Sequence, residues 1–143
     1  MLDIIRDHCM DTEWGTATAP TELSFGTVYG AHEMPLGTVD ELASLLQQEA
    51  PSAVFEVWQD PHQVADGKYI AHVPGVGTYI ADCDAQGNPH VDVNVLHGRL
   101  SDCPEGMTVR EWLDSDAASV LGTAVLAALR PYQDTATSSP VAA

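Results

Sequence analysis

Lys68-Tyr69-Ile70-Ala71-His72-Val73, then Pro74-Gly75-Val76-Gly77, then Thr78-Tyr79-Ile80-Ala81-Asp82-Cys83 is the stretch on which the fold turns. Both flanks are rich in β-branched and aromatic residues, and the four residues between them carry one proline and two glycines, the composition of a tight reversal. The spacing predicts a hairpin. Upstream, Ala53 to Trp58 has the same strand chemistry and ends at Asp60-Pro61. Downstream, Asp84 to Pro89 is a second turn cluster, and Val91, Val93 and Val95 alternate with polar residues over His90 to Leu96, the period of another strand. The centre of the chain therefore reads as an antiparallel meander.

Elements of helical period surround it. Residues 2 to 9 form a short helix with Leu2, Ile5 and Cys9 on one side, and a Thr-, Ala- and Gly-rich loop follows to Thr21. Glu22 to Tyr29 alternates with Leu23, Phe25, Thr27 and Tyr29 on one face, which predicts a strand. Thr38-Val39-Asp40-Glu41 has the capping-box pattern, ahead of an apolar stripe of Val39, Leu42, Ala43, Leu45 and Leu46 that Pro51 stops. Thr108-Val109-Arg110-Glu111 repeats that start signal, with Met107 placed to staple onto Trp112. Ala117 to Leu129 reads as one core helix closed by Arg130 and Pro131. The expected class is α+β, an antiparallel sheet of about four to five strands with helices packed on one face. One domain spans residues 1–133, and residues 134–143, with little to bury, form a flexible tail.

The 143 residues contain 21 Asp plus Glu against 5 Lys plus Arg, a formal net charge of -16. Such a balance opposes direct contact with nucleic acid or an anionic membrane, whose phosphates would repel it. A basic protein surface is the complementary partner. The competing account is that the acidity serves solubility, since the acids are spread along the whole chain and Lys68 is the one lysine. No apolar run is long enough to cross a bilayer, and the first residues carry acids where a signal peptide carries positive charge, so the expected location is the cytoplasm.

The chemical motifs are sparse. Cys9, Cys83 and Cys103 are odd in number and lack a C-x-x-C, which signals neither a disulfide framework nor a zinc site. Asp82 to Gly87 opens like a calcium loop, but its twelfth position is Val93 rather than a bidentate Glu. The dinucleotide, P-loop, nucleophile-elbow and zincin patterns are all missing. The expectation is a non-enzymatic protein with no catalytic residues, no metal and no cofactor. Trp58, beside Glu56 and Asp60, has the composition of an aromatic anchor rimmed by acids, which suits arginine on a basic partner. Burial at the end of the sheet is its plainer reading. Glu56, Trp58, Asp60, Asp82 and Asp84 are the candidate partner-binding residues.

The run from Thr38-Val39-Asp40-Glu41-Leu42 through Leu45-Leu46, Pro51 and Ala53-Val54-Phe55-Glu56-Val57 into the Gly-rich hairpin resembles the small α+β immunity proteins of bacterial polymorphic toxin systems. The resemblance covers the middle half of the chain. It implies an acidic inhibitor that plugs the active site of a basic nuclease or deaminase. The C-terminus departs from that pattern, with an Ala-rich helix in place of a terminal strand bearing an aromatic residue. The functional expectation is an acidic inhibitory protein that neutralises a basic, nucleic-acid-acting partner, as an immunity protein or mobile-element inhibitor. A DNA mimic, a phage or plasmid accessory or structural subunit, and a small metal- or cysteine-dependent enzyme stand as alternatives.

Overall fold

The computed structural model describes residues 1–15, 18–115 and 120–137, without the side chains of 134–137. The fold is α+β: a four-stranded antiparallel sheet in the order β1-β2-β3-β4 and, among the described residues, five α-helices. Contacts gather into two compact units, Met1–Ala53 with the chain from Leu129 onward, and Val54–Ala128.

In the first unit, α1 (Leu2–Asp7) buries Ile4 and Ile5 and meets α2 (Thr38–Glu49), which buries Val39, Leu42, Ala43 and Leu46. The i, i+3, i+4, i+7 spacing of those four is what makes α2 amphipathic. The helix is where its stripe places it, but the capping box at Thr38 does not form. Helix α2 begins one residue earlier than a Thr38 cap requires, with Gly37 as cap at φ 91° and the Thr38 hydroxyl donating back to the Pro35 carbonyl at 2.8 Å. Thr38 is thus inside the first turn, where its hydroxyl cannot serve the amide of Glu41.

The strand expected over Glu22 to Tyr29 is absent. A turn closes there from the Ser24 carbonyl to the Thr27 amide, Gly26 adopts φ 76°, and the Tyr29 hydroxyl accepts from the Ser24 amide. Phe25 is 62% exposed and tilts against the Tyr132 ring at 5.9 Å. Alternation makes a strand only when a neighbour accepts its backbone groups. In this region the pairing among the described residues is a single bridge between Asp11 and Gly30.

The second unit is built on the hairpin of β2 (Gly67–Val73) and β3 (Gly77–Cys83), paired from Gly67–Cys83 to Val73–Gly77. Its turn closes with the Val76 amide donating to the Val73 carbonyl, and Gly75 supplies φ 79°. Strand β1 (Phe55–Gln59) lies on the far edge of β2, and β4 (Pro89–His90) adds a two-residue pairing to β3. Because side chains alternate across a strand, Glu56, Trp58, Tyr69, Ala71, Val73, Tyr79 and Cys83 share one face. Tyr69, Ala71, Val73, Tyr79 and Cys83 are buried there, each large side chain contributing about 1.5–3 kcal/mol. Lys68, Ile80, Asp82 and His90 occupy the opposite face.

The strand expected through Leu96 stops at His90. Asp92 instead caps α3 (Val93–Ser101), its Oδ1 accepting from the amides of Asn94 at 2.7 Å and Val95 at 3.2 Å. The Val-x-Val alternation finds no surface to bury against, and Val93 stays 75% exposed. By contrast, the capping box at Thr108 forms with both of its bonds at the start of α4 (Val109–Leu113). Trp112 is buried, with its indole Nε1 donating to the Arg99 carbonyl at 2.9 Å.

Within the helix expected from Ala117 to Leu129, Val120 to Gly122 are not α-helical. Residues 116–119 lie outside the described residues, and α5 (Thr123–Thr137) starts only after Gly122, which holds φ 56°. Pro131 lies inside α5 rather than ending it, at the cost of the amide the ladder would direct at Ala127. Residues 134–137, expected in the tail, extend this helix, and residues 138–143 lie outside the described residues.

Gly122 is the position where space and backbone both exclude a side chain. A Cβ there would sit 2.2 Å from Cγ of the buried Tyr79. The variant Gly122→Ala is expected to lose about 3 kcal/mol, from overpacking plus left-handed strain, measured as a lowered urea midpoint. An unchanged midpoint would show that the contact does not constrain the fold.

Candidate functional site

The five residues singled out from sequence divide between structural settings. Glu56 and Trp58 lie on the sheet face that buries Tyr69, whose hydroxyl donates to Glu56 Oε1. Burial, and then this bond to an anion, push the Tyr69 phenol well above its ordinary pKa, so it remains a neutral donor. The Trp58 ring lies beneath the turn after β3, so closely that a Cβ on Gly87 would fall 2.6 Å from the indole. Asp84 organises that turn, accepting at Oδ1 from the amides of Gln86 and Asn88 and at Oδ2 from the Asn88 side chain. What resembled the opening of a calcium loop is therefore a turn stapled by its own amides. Asp60, just past β1, and Asp82, on the outward face, are exposed.

Asp60, Asp82 and Asp84 gather around Cys83. Burial first, then the negative charge of Asp84, Asp60 and Asp82, pushes the Cys83 thiol up to about 11. A thiol so protonated is a poor nucleophile and a poor metal ligand. Among the described residues, no cluster of three or more His, Cys, Asp or Glu side chains could hold a metal ion.

The outward face carries a different feature. An open cleft of about 500 Å³ lies between the ends of β2 and β3, the β4 pairing and the start of α3, all within the second unit. Asp66, Asp82 and Asp92 border it together with Lys68 and His90, and Ile80, Val95 and Val120 supply an apolar wall. The register explains the arrangement, since Lys68 faces Asp82 and Asp82 faces His90 across adjacent strands. Ile80 is 57% exposed, an unusual setting for isoleucine in a strand centre. The amides of Val95 and Asn94 hold the Asp92 carboxyl below the usual carboxylate range. Among the described residues, no hydrogen bond or ion pair engages the carboxylates of Asp66 and Asp82.

Of this cleft, sequence reasoning selected only Asp82. Asp66, Lys68, His90 and Asp92 were missed, although a hairpin centred on Gly75 does place Lys68 opposite Asp82. The contribution of His90 and Asp92 depended on recognising that the β4 pairing gives way to a capped helix.

Fold and cleft together define an acidic α+β protein with an open, mixed polar and apolar site. The chain belongs to the DUF3145 family, described as a protein of unknown function, whose model matches residues 5–143. No curated protein and no solved structure matches it. Among the described residues, no helix is long and apolar enough to cross a membrane.

Two outcomes follow from the protonation states. Iodoacetamide at mildly alkaline pH is expected to label the exposed Cys9 and to leave the buried Cys83 untouched until the protein is unfolded. Rapid native labelling of Cys83 would contradict its placement. Separately, Asp84, Asp92 and Glu111 all have carboxyls held below their ordinary pKa by local hydrogen bonds, with Asn88, with Val95 and Asn94, and with Thr108. A folded pKa below the unfolded one gives stability that is present at neutral pH and is lost as pH falls below about 4. The double variant Asp84→Asn, Asp92→Asn should therefore show a shallower loss of stability on acidification than the parent chain.

Proposed function

We propose that this protein is an acidic binding protein that neutralises a basic protein partner, acting as an immunity protein or inhibitor of a nucleic-acid-acting protein. The observation that carries the reading is the cleft, where Asp66, Asp82 and Asp92 outnumber the single ammonium of Lys68 beside an exposed apolar wall. A chain of net charge -16 adds a long-range field of the same sign. Such a field raises the encounter rate with a cation-bearing surface by roughly 10- to 1000-fold at low salt. Apolar contact then holds the complex once water is displaced.

A tagged full-length chain, passed through extract of its native cells, is expected to retain a basic protein. That protein, purified, should rebind one-to-one in titration calorimetry, with an association rate that falls at least about tenfold as the Debye length shrinks from about 30 to 3 Å. Failure of the purified basic candidates to bind, or binding indifferent to salt, would leave the acidity as a solubility trait.

A further inference from the structure

We infer that the cleft is a socket for one arginine side chain of the partner, with Lys68 as the residue that limits its affinity. This inference rests on the proposal that the partner is basic. The primary feature is the wall: Ile80 stands 57% exposed at the centre of β3, and Val95 stands 48% exposed in the first turn of α3. Both line the same cleft. A purely apolar occupant would have to desolvate Asp66, Asp82 and Asp92 at the rim without pairing them, which costs more than the wall returns. An anionic occupant would meet three carboxylates. An occupant with an aliphatic stem and a cationic head satisfies both parts, the stem along Ile80 and Val95 and the head at the carboxylates.

Arginine fits better than lysine. Its planar guanidinium presents five donors in a fork that two carboxylates can share, and it sheds water more readily than an ammonium. The two acids available for that fork are Asp66 and Asp82, whose carboxylates no hydrogen bond or ion pair engages among the described residues. Asp92, held ionised by the amides of Val95 and Asn94, adds a fixed negative charge but is already committed as the α3 cap. Lys68 faces Asp82 across the β2–β3 pairing and is the one lysine of the chain. Its ammonium repels the incoming guanidinium at short range, so removing that charge should tighten binding.

The test uses the full chain labelled with ¹⁵N and a short neutral peptide carrying one arginine, against the same peptide with citrulline, which keeps the shape and loses the charge. Titration with the arginine peptide at low salt should shift amide resonances at 66–68, 80–82 and 90–95, and citrulline should shift none of them. The Asp66→Asn, Asp82→Asn variant should weaken the arginine peptide at least about tenfold, whereas Lys68→Gln should strengthen it by about threefold or more. Unchanged spectra elsewhere report that both variants remain folded. Shifts scattered over other acids, equal response to citrulline, or unaltered affinity in the double Asp variant would each overturn the socket. A basic protein captured equally well by the double variant would remove the socket and leave the proposed function standing. Arginine binding in the cleft with no basic protein captured would do the reverse.

Discussion

The pairing of β2 with β3 is the constraint on which the second unit depends. Seven residue pairs in antiparallel register, from Gly67–Cys83 to Val73–Gly77, decide the face of every side chain on both strands. A slip of one residue would exchange the buried Tyr69 and Tyr79 for Lys68 and Ile80 of the opposite face, and would place the only lysine in the core. The turn at Pro74-Gly75-Val76 and the burial of Tyr69 and Tyr79 along the hairpin both oppose that slip. Tyr79 adds a further restraint, because its ring fills the space beside Gly122 and leaves no room for a side chain there.

The same register separates two kinds of carboxylate. Glu56 faces the buried side, where it accepts from Tyr69 and serves the packing. Asp82 faces outward into the cleft. Asp84, Asp92 and Glu111 are occupied in local structure, one stapling a turn and two capping helices, and their hydrogen bonds stabilise the ionised form. An acidic chain thus uses part of its charge as backbone chemistry. The carboxylates available for a partner are fewer than the composition suggests, and they are recognised by what they do not already hold.

Local signals in the sequence were legible where they were self-sufficient. The hairpin, the apolar stripe of α2 and the box at Thr108 each depend on residues within one or two turns of one another, and each stands where it was read. Alternation failed twice, at Glu22 to Tyr29 and beyond His90, because a strand is a property of two segments and neither of these has a partner along its length among the described residues. Composition left Trp58 open between an acid-rimmed anchor and the plainer burial at the sheet end, and parity on β1 places Glu56 and Trp58 on the face of Tyr69, with Trp58 under the turn at Gly87.

The sequence by itself determined the α+β class, the central hairpin, the position of α2 and the excess of negative charge. Those follow from periodicity, turn chemistry and composition, which act over short distances along the chain. Only the tertiary structure decided that α5 starts after a Gly122 pressed against Tyr79, that the strand after Pro89 gives way to a helix capped by Asp92, and that Asp66, Lys68, Asp82 and His90 border one cleft. Those outcomes depend on a tyrosine ring 43 residues before the glycine it meets and on which strand face each side chain takes. Neither is encoded in any window short enough for pattern reading, because both arise from the packing of segments that are distant in sequence.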